Sequence, residues 1–129
     1  KTKILFLPKP KKNSTLKIKL LLMLLSSSLL ASFGQILLKI GAARADSISK
    51  FINLSIFTGL CFYGLSTIMW IYALSFARLN MVYGFTTLTF VFVYILSFFI
   101  LKEPLNLYGI LGIAFILVGL YFILGKGSI

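Results

Sequence analysis

Ser28, Ser32, Gln35 and Lys39 form one polar stripe within long apolar runs. Their spacings of four, three and four residues place them on a single helix face, about 16 Å long at a rise of 1.5 Å per residue. Gln35 can both donate and accept hydrogen bonds, and Lys39 brings a positive charge to one end of the stripe. Ala31 and Gly34 flank it and leave room for a neighbouring helix or a ligand. A polar face in hydrocarbon must be satisfied by other protein groups or line a cavity. Two readings follow. The stripe is a site for a polar or anionic headgroup, with Lys39 on phosphate and Gln35 on hydroxyls or amides. Alternatively it joins helices, and Lys39 snorkels to the interface.

Two further groups of residues have a distinctive placement. Trp70 lies well inside its apolar run, whereas most membrane aromatics belong to interfacial belts. Together with Tyr83 and Thr86 it is a candidate to close a cavity over the stripe, packing being the alternative. Gly109, Gly112 and Gly119 form a small-residue pattern near the C-terminus, and the last two, seven apart, share a helix face. Small residues let helices approach closely in lipid. This face is expected to be an association surface, inside the bundle or between chains.

The rest of the composition narrows the chemistry. There are 2 acidic residues, Asp46 and Glu103, no histidine and a single cysteine. This set offers no metal site of the usual His/Cys type, no haem ligation, no intrachain disulfide and no acid–base or nucleophilic constellation. The expectation is a protein that is not an enzyme and needs no cofactor or metal. Cys61 reads as a small packing residue, and Glu103 beside Lys102 as a surface pair.

The elements that must position these residues are membrane spans. Of 129 residues, 60% are hydrophobic and 12% charged, too few polar groups to cover a water-facing globule. Four runs are long enough to cross a bilayer, at about 16–41, 51–76, 81–101 and 105–124, within one transmembrane domain over 16–129. Asn53 or Ser55 is placed to cap the second, and Lys102-Glu103-Pro104 ends the third. Ala43-Arg44-Ala45 superficially resembles a signal-peptide cleavage site. The run before it exceeds the usual apolar segment of about 7–15 residues, so the first span reads as a permanent helix.

The net charge of +11 is concentrated at one end, with seven of the 13 basic residues in the first 19 positions. That distribution argues against nucleic acid and for a basic, flexible tail over 1–15 facing membrane lipids. With an even number of spans both termini share a side, where nine basic residues stand against four on the other. The positive-inside rule places that side in the cytoplasm. The fold class is therefore all-α, an integral membrane bundle of four transmembrane helices with both termini cytoplasmic.

The run Ala31-Ser32-Phe33-Gly34-Gln35-Ile36-Leu37-Leu38-Lys39-Ile40-Gly41 resembles the first helix of the small drug/metabolite transporters, which include the small multidrug resistance and EamA-like proteins. Lys102-Glu103-Pro104-Leu105, followed by Gly109, Gly112 and Gly119, resembles the end of the third helix and the fourth helix of that group. The likeness spans about 16–125. The drug exporters carry an essential glutamate in their first helix; here Ala31 and Ser32 stand at that point. Tyr83 is kept, but Thr86 stands where those exporters have a tryptophan. Gly34-Gln35 with Lys39 is more similar to the branch that flips an aminoarabinose-bearing undecaprenyl phosphate. The resemblance implies a lipid-linked sugar substrate, an inner-membrane location and a homodimer or a heteromer with another small membrane subunit. The leading expectation is a transporter or flippase subunit, with a non-transporting accessory subunit as the alternative. Proton-coupled multidrug export is the weakest reading, because its acid is missing.

Overall fold

A computed structural model describes residues 14–125 and is helical in all its long elements. Helix α1 covers Ser14–Ala43, α2 Leu54–Leu74, α3 Leu79–Leu96 and α4 Leu107–Leu124. A π-helical segment, Ser97–Leu101, prolongs α3. All four helices are long and apolar enough to cross a membrane, α3 with its prolongation spanning Leu79–Leu101. In hydrocarbon a helix satisfies its own backbone polar groups, which is why the apolar runs take this form. Most of the expected basic tail, residues 1–13, lies outside the described residues, as does Lys126. Ser14 and Thr15 already belong to α1.

The second and fourth helices start later than their apolar runs, and an asparagine sets each start. Asn53 Oδ1 accepts from the Ile56 amide at 3.0 Å. Its Nδ2 donates to the Gly41 carbonyl at 2.9 Å and to that of Lys50 at 3.1 Å. One side chain thus caps α2, ties it to the end of α1 and closes the 3₁₀ turn Ile48–Phe51. Asn106 caps α4 in the same manner by accepting from the Gly109 amide. Both occupy orphan first-turn donors that would otherwise lack partners. At the far end of α3 the chain turns at Lys102, whose φ of 56° is the only positive value outside glycine among the described residues.

Small residues bring α1 and α2 together. The buried residues of α2 are Gly59, Ser66 and Ala73, spaced seven apart. On α1, Leu20, Ser27, Gly34 and Gly41 are buried with the same spacing. The two rows meet antiparallel. Ser27 and Ser66 each donate a hydroxyl to the other's carbonyl at 2.9 Å. A Cβ on Gly34 would stand 2.9 Å from the Gly59 carbonyl oxygen, and one on Gly59 would stand 2.9 Å from that of Gly34. At Gly41 a Cβ would meet Asn53 Oδ1 at 2.8 Å. A strict seven-residue repeat keeps two helices in contact along their length, and small side chains supply the close packing that substitutes for a hydrophobic drive in lipid.

The apolar core lies at the α2–α3 turn end: Leu20 and Leu24 of α1, Ala73 of α2, and Met81, Val82 and Phe85 of α3. Helix α4 is peripheral, burying only Leu120. It meets α3 where Gly84 leaves room, a Cβ there standing 3.1 Å from Ile123. Cys61 is exposed on α2, so it is not the interior packing residue expected. Most of the other exposed side chains of α2 are apolar and suit lipid.

Identical substitutions at two glycines should have opposite signs. Gly34→Ala is expected to cost about 1–3 kcal/mol, because backbone atoms of α2 block the added methyl. Gly64 has nothing within 4 Å of a Cβ, so Gly64→Ala should stabilise by up to about 1 kcal/mol through helix propensity. Far-UV circular dichroism melts in one detergent compare them, and equal shifts would contradict the packing. Asn53→Ala should cost about 1–2 kcal/mol in the same assay. Asn53→Asp should recover only part of that, since it keeps the cap and loses both donors.

Candidate functional site

The polar stripe of α1 divides in the middle. Ser28 Oγ shares its one proton between the Leu24 carbonyl of its own helix and the Phe85 carbonyl of α3, each at 3.0 Å. Ser32 Oγ shares its proton between the Ser28 carbonyl at 2.7 Å and, as the longer branch, the Thr89 carbonyl of α3 at 3.3 Å. Each cross-helix partner stands 57 positions further along the chain, so α1 and α3 run parallel in fixed register. Both serines are buried, and both hydroxyls are occupied in joining helices. The lower half of the stripe therefore holds α3 in place.

The upper half is different. Gln35 is half-buried and Lys39 exposed, and neither side chain has a hydrogen-bond partner among the described residues. A primary amide has two donors and an acceptor to satisfy. At membrane depth an unpaired amide is costly, and such groups characteristically face a cavity, a ligand or another subunit.

Trp70, Tyr83 and Thr86 come together at the α2–α3 contact. Trp70 Nε1 donates to Thr86 Oγ1 at 3.1 Å. Thr86 Oγ1 in turn approaches the Val82 carbonyl at 3.3 Å. The Trp70 and Tyr83 rings meet edge to face, with centroids 5.3 Å apart at 82°. This is a favourable aromatic geometry. Trp70 also packs against the apolar core, while Tyr83 remains 54% exposed. The cluster lies near the Ser28 end of the stripe, because Ser28 bonds the carbonyl next to Thr86. Gln35 and Lys39 stand two or three turns further along α1.

Two surface recesses lie elsewhere. One of about 250 Å³ is lined by Tyr94, Ile95, Phe98, Phe99, Leu105, Ile110 and Ile113. The other, of about 520 Å³, lies at the α1–α2 loop. Neither includes a stripe residue.

The expected association glycines also divide. Gly109 sits under Tyr94, and a Cβ there would collide with the phenol ring. Gly112 and Gly119 have open space beside them and point away from the rest of the chain. Glu103 does not pair with Lys102. Its carboxylate accepts instead from the buried Ser97 hydroxyl, which takes it up at the end of α3. Among the described residues no group of three or more His, Cys, Asp or Glu side chains could hold a metal.

Sequence reasoning passed over Ser27, Ser66, Thr89 and Ser97. The repeat Gly59, Ser66, Ala73 matched by Ser27, Gly34, Gly41 was the available signal for the first two. Thr89 contributes only its carbonyl, and nothing in a side-chain pattern reports that.

No family model and no solved structure matches the chain. Among curated proteins, it is similar to the probable 4-amino-4-deoxy-L-arabinose-phosphoundecaprenol flippase subunit ArnF of Proteus mirabilis (strain HI4320). The two are 32% identical over 118 positions, covering 79% of this chain and 89% of the relative. Four apolar helices, each satisfying its own backbone, make the chain a multi-pass membrane protein of the helical type found in inner membranes. At that identity and coverage, the chain belongs to the family of the flippase subunit ArnF.

Proposed function

We propose that the chain is one subunit of an inner-membrane flippase that carries a polyprenyl-phosphate-linked amino sugar from one leaflet to the other, with both its termini in the cytoplasm. The observation that carries this reading is Gln35, a half-buried amide without a partner among the described residues, one turn from the unpaired Lys39. Gln35 would meet sugar hydroxyls or the amine, and Lys39 the phosphate. The likeness to the Proteus subunit supplies the substrate class. Moving a headgroup between leaflets makes and breaks no covalent bond, so the absence of an acid–base constellation is no obstacle.

A second small subunit, identical or different, completes the path. Gln35 borders neither of the two recesses described, and the face of α4 that carries Gly112 and Gly119 is open to a neighbouring helix. Trp70, Tyr83 and Thr86, two or three turns away at the Ser28 end, would line the path beyond the headgroup contact, with the Tyr83 ring exposed there. Ser28 and Ser32 set the register of α3 instead of touching substrate. Their occupied hydroxyls favour the second reading, a non-transporting accessory subunit, to the extent that only half of the stripe is free.

Vesicles containing the complete complex can separate these roles, using a membrane-impermeant amine reagent to count sugar lipid in the outer leaflet. Gln35→Ala with Lys39→Ala should slow flipping at least about tenfold, equivalent to about 1.4 kcal/mol, while insertion and helicity stay unchanged. Normal flipping in that double variant overturns the mechanism. Ser28→Ala should instead lower stability by about 1 kcal/mol and leave flipping per folded complex near the parent level.

A further inference from the structure

The loop between α1 and α2 combines two features that neither packing nor the transport path uses. The first is cationic. Arg44, Ser49, Lys50, Ile52, Asn53, Leu54 and Ser55 line the recess of about 520 Å³. Lys50 is paired with Asp46 at 2.8 Å, and the Asn53 side chain is fully engaged. Arg44 has no ion pair or hydrogen bond among the described residues, so the recess holds one uncompensated positive charge. Guanidinium pairs bidentately with the oxygen pair of a carboxylate or a phosphate, and phosphate is the anion that a membrane surface supplies in quantity.

The second feature is apolar. Ile48 is 90% exposed and Ile52 92%, on the 3₁₀ turn and just after it. Both lie outside the helical spans, and Ile52 also borders the recess. Exposed aliphatic side chains beside a cation, at the end of a transmembrane hairpin, are the arrangement of a segment seated at the headgroup–acyl boundary. A soluble anion would account for Arg44 and leave the isoleucines in water. An apolar partner surface would cover the isoleucines and strand the guanidinium. A lipid with an anionic headgroup satisfies both at once.

We propose that the α1–α2 loop binds an anionic phospholipid, its phosphate against Arg44 in the recess and its acyl chains against Ile48 and Ile52. The lipid is in the leaflet remote from the chain termini. The site does not depend on the flippase reading and would serve an accessory subunit equally well, as a fixed anchor that sets the depth of the α1–α2 hairpin. The loop is prepared for it: Asn53 ties both of its ends, and the Asp46–Lys50 pair holds the turn between them.

The test needs a local reporter, because the lysines near the N-terminus also attract anionic lipid. Trp70 is the only tryptophan. The full chain carrying Trp70→Phe and Ile52→Trp, in lipid nanodiscs, reports the lipid beside the loop through quenching by brominated acyl chains. Brominated phosphatidylglycerol is expected to quench as if enriched about fivefold over brominated phosphatidylcholine at equal mole fraction. Adding Arg44→Gln should remove the difference, and Arg44→Lys should keep part of it, with circular dichroism unchanged in both. Equal quenching by the two lipids with Arg44 present overturns the proposal, as does no quenching by either. Loss of the difference on adding millimolar glycerol 3-phosphate also overturns it, by assigning the recess to a soluble anion. None of these outcomes bears on flipping, so failure here leaves the transport reading standing.

Discussion

The close contact between α1 and α2 along one seven-residue repeat is the constraint on which the other positions depend. Lipid tails are as apolar as leucine, so two helices gain little from burying leucine against each other in a bilayer. They gain from backbone proximity, and proximity requires that the interface lack bulk. Gly34 facing Gly59 and the reciprocal hydroxyls of Ser27 and Ser66 provide it. Asn53 then fastens the open end by bonding the Gly41 carbonyl. Once that pair is rigid, α1 has one remaining face to offer, and α3 takes half of it.

That division gives one helix a structural half and a half with free polar groups. Ser28 and Ser32 meet carbonyls of α3, where a hydroxyl can bond without a polar side chain opposite. The carbonyls already accept within α3, so the serines use second lone pairs and leave the helix intact. Above Ser32 no further side-chain hydrogen bond joins α1 to α3 among the described residues, and Gln35 has no partner there. A stripe fully engaged in packing would have nothing left for a ligand, while a stripe fully free would not fix α3. With two residues of each kind, the helix can hold α3 and still offer polar groups to the ligand proposed for it.

The number and order of the helices could be read from the sequence because hydrocarbon imposes a length and a composition on each span. The polar stripe was legible for the same reason, since a 3.6-residue period brings its members onto one face. The split between Ser32 and Gln35 was not legible. It depends on which carbonyls of α3 lie opposite, a tertiary register invisible in side-chain types. The glycine repeat shows the converse difficulty. Seven-residue spacing was plain in Gly112 and Gly119, yet the repeat that packs within the chain belongs to Ser27, Gly34 and Gly41 with Gly59, Ser66 and Ala73. Spacing marks a face suited to close approach and does not name its partner. Trp70, Tyr83 and Thr86 were recognisable one by one, but their meeting required α2 and α3 to be adjacent across the short turn between Leu74 and Leu79.

The attachment of α4 follows from the same economy of contacts. Its helix buries a single leucine, and two close approaches mark where it meets α3. Gly84 admits Leu120 and Ile123 at one end, and Tyr94 lies over Gly109 at the other. Between α3 and α4 the π-helical segment shifts the phase of α3, the left-handed Lys102 turns the chain, and the Ser97 hydroxyl bonds Glu103 across the corner. The corner is well determined although the helix beyond it is sparsely packed. In the assembly proposed above, a neighbouring subunit would supply further contacts along Gly112 and Gly119, and the corner would fix the angle at which α4 is presented before any partner arrives.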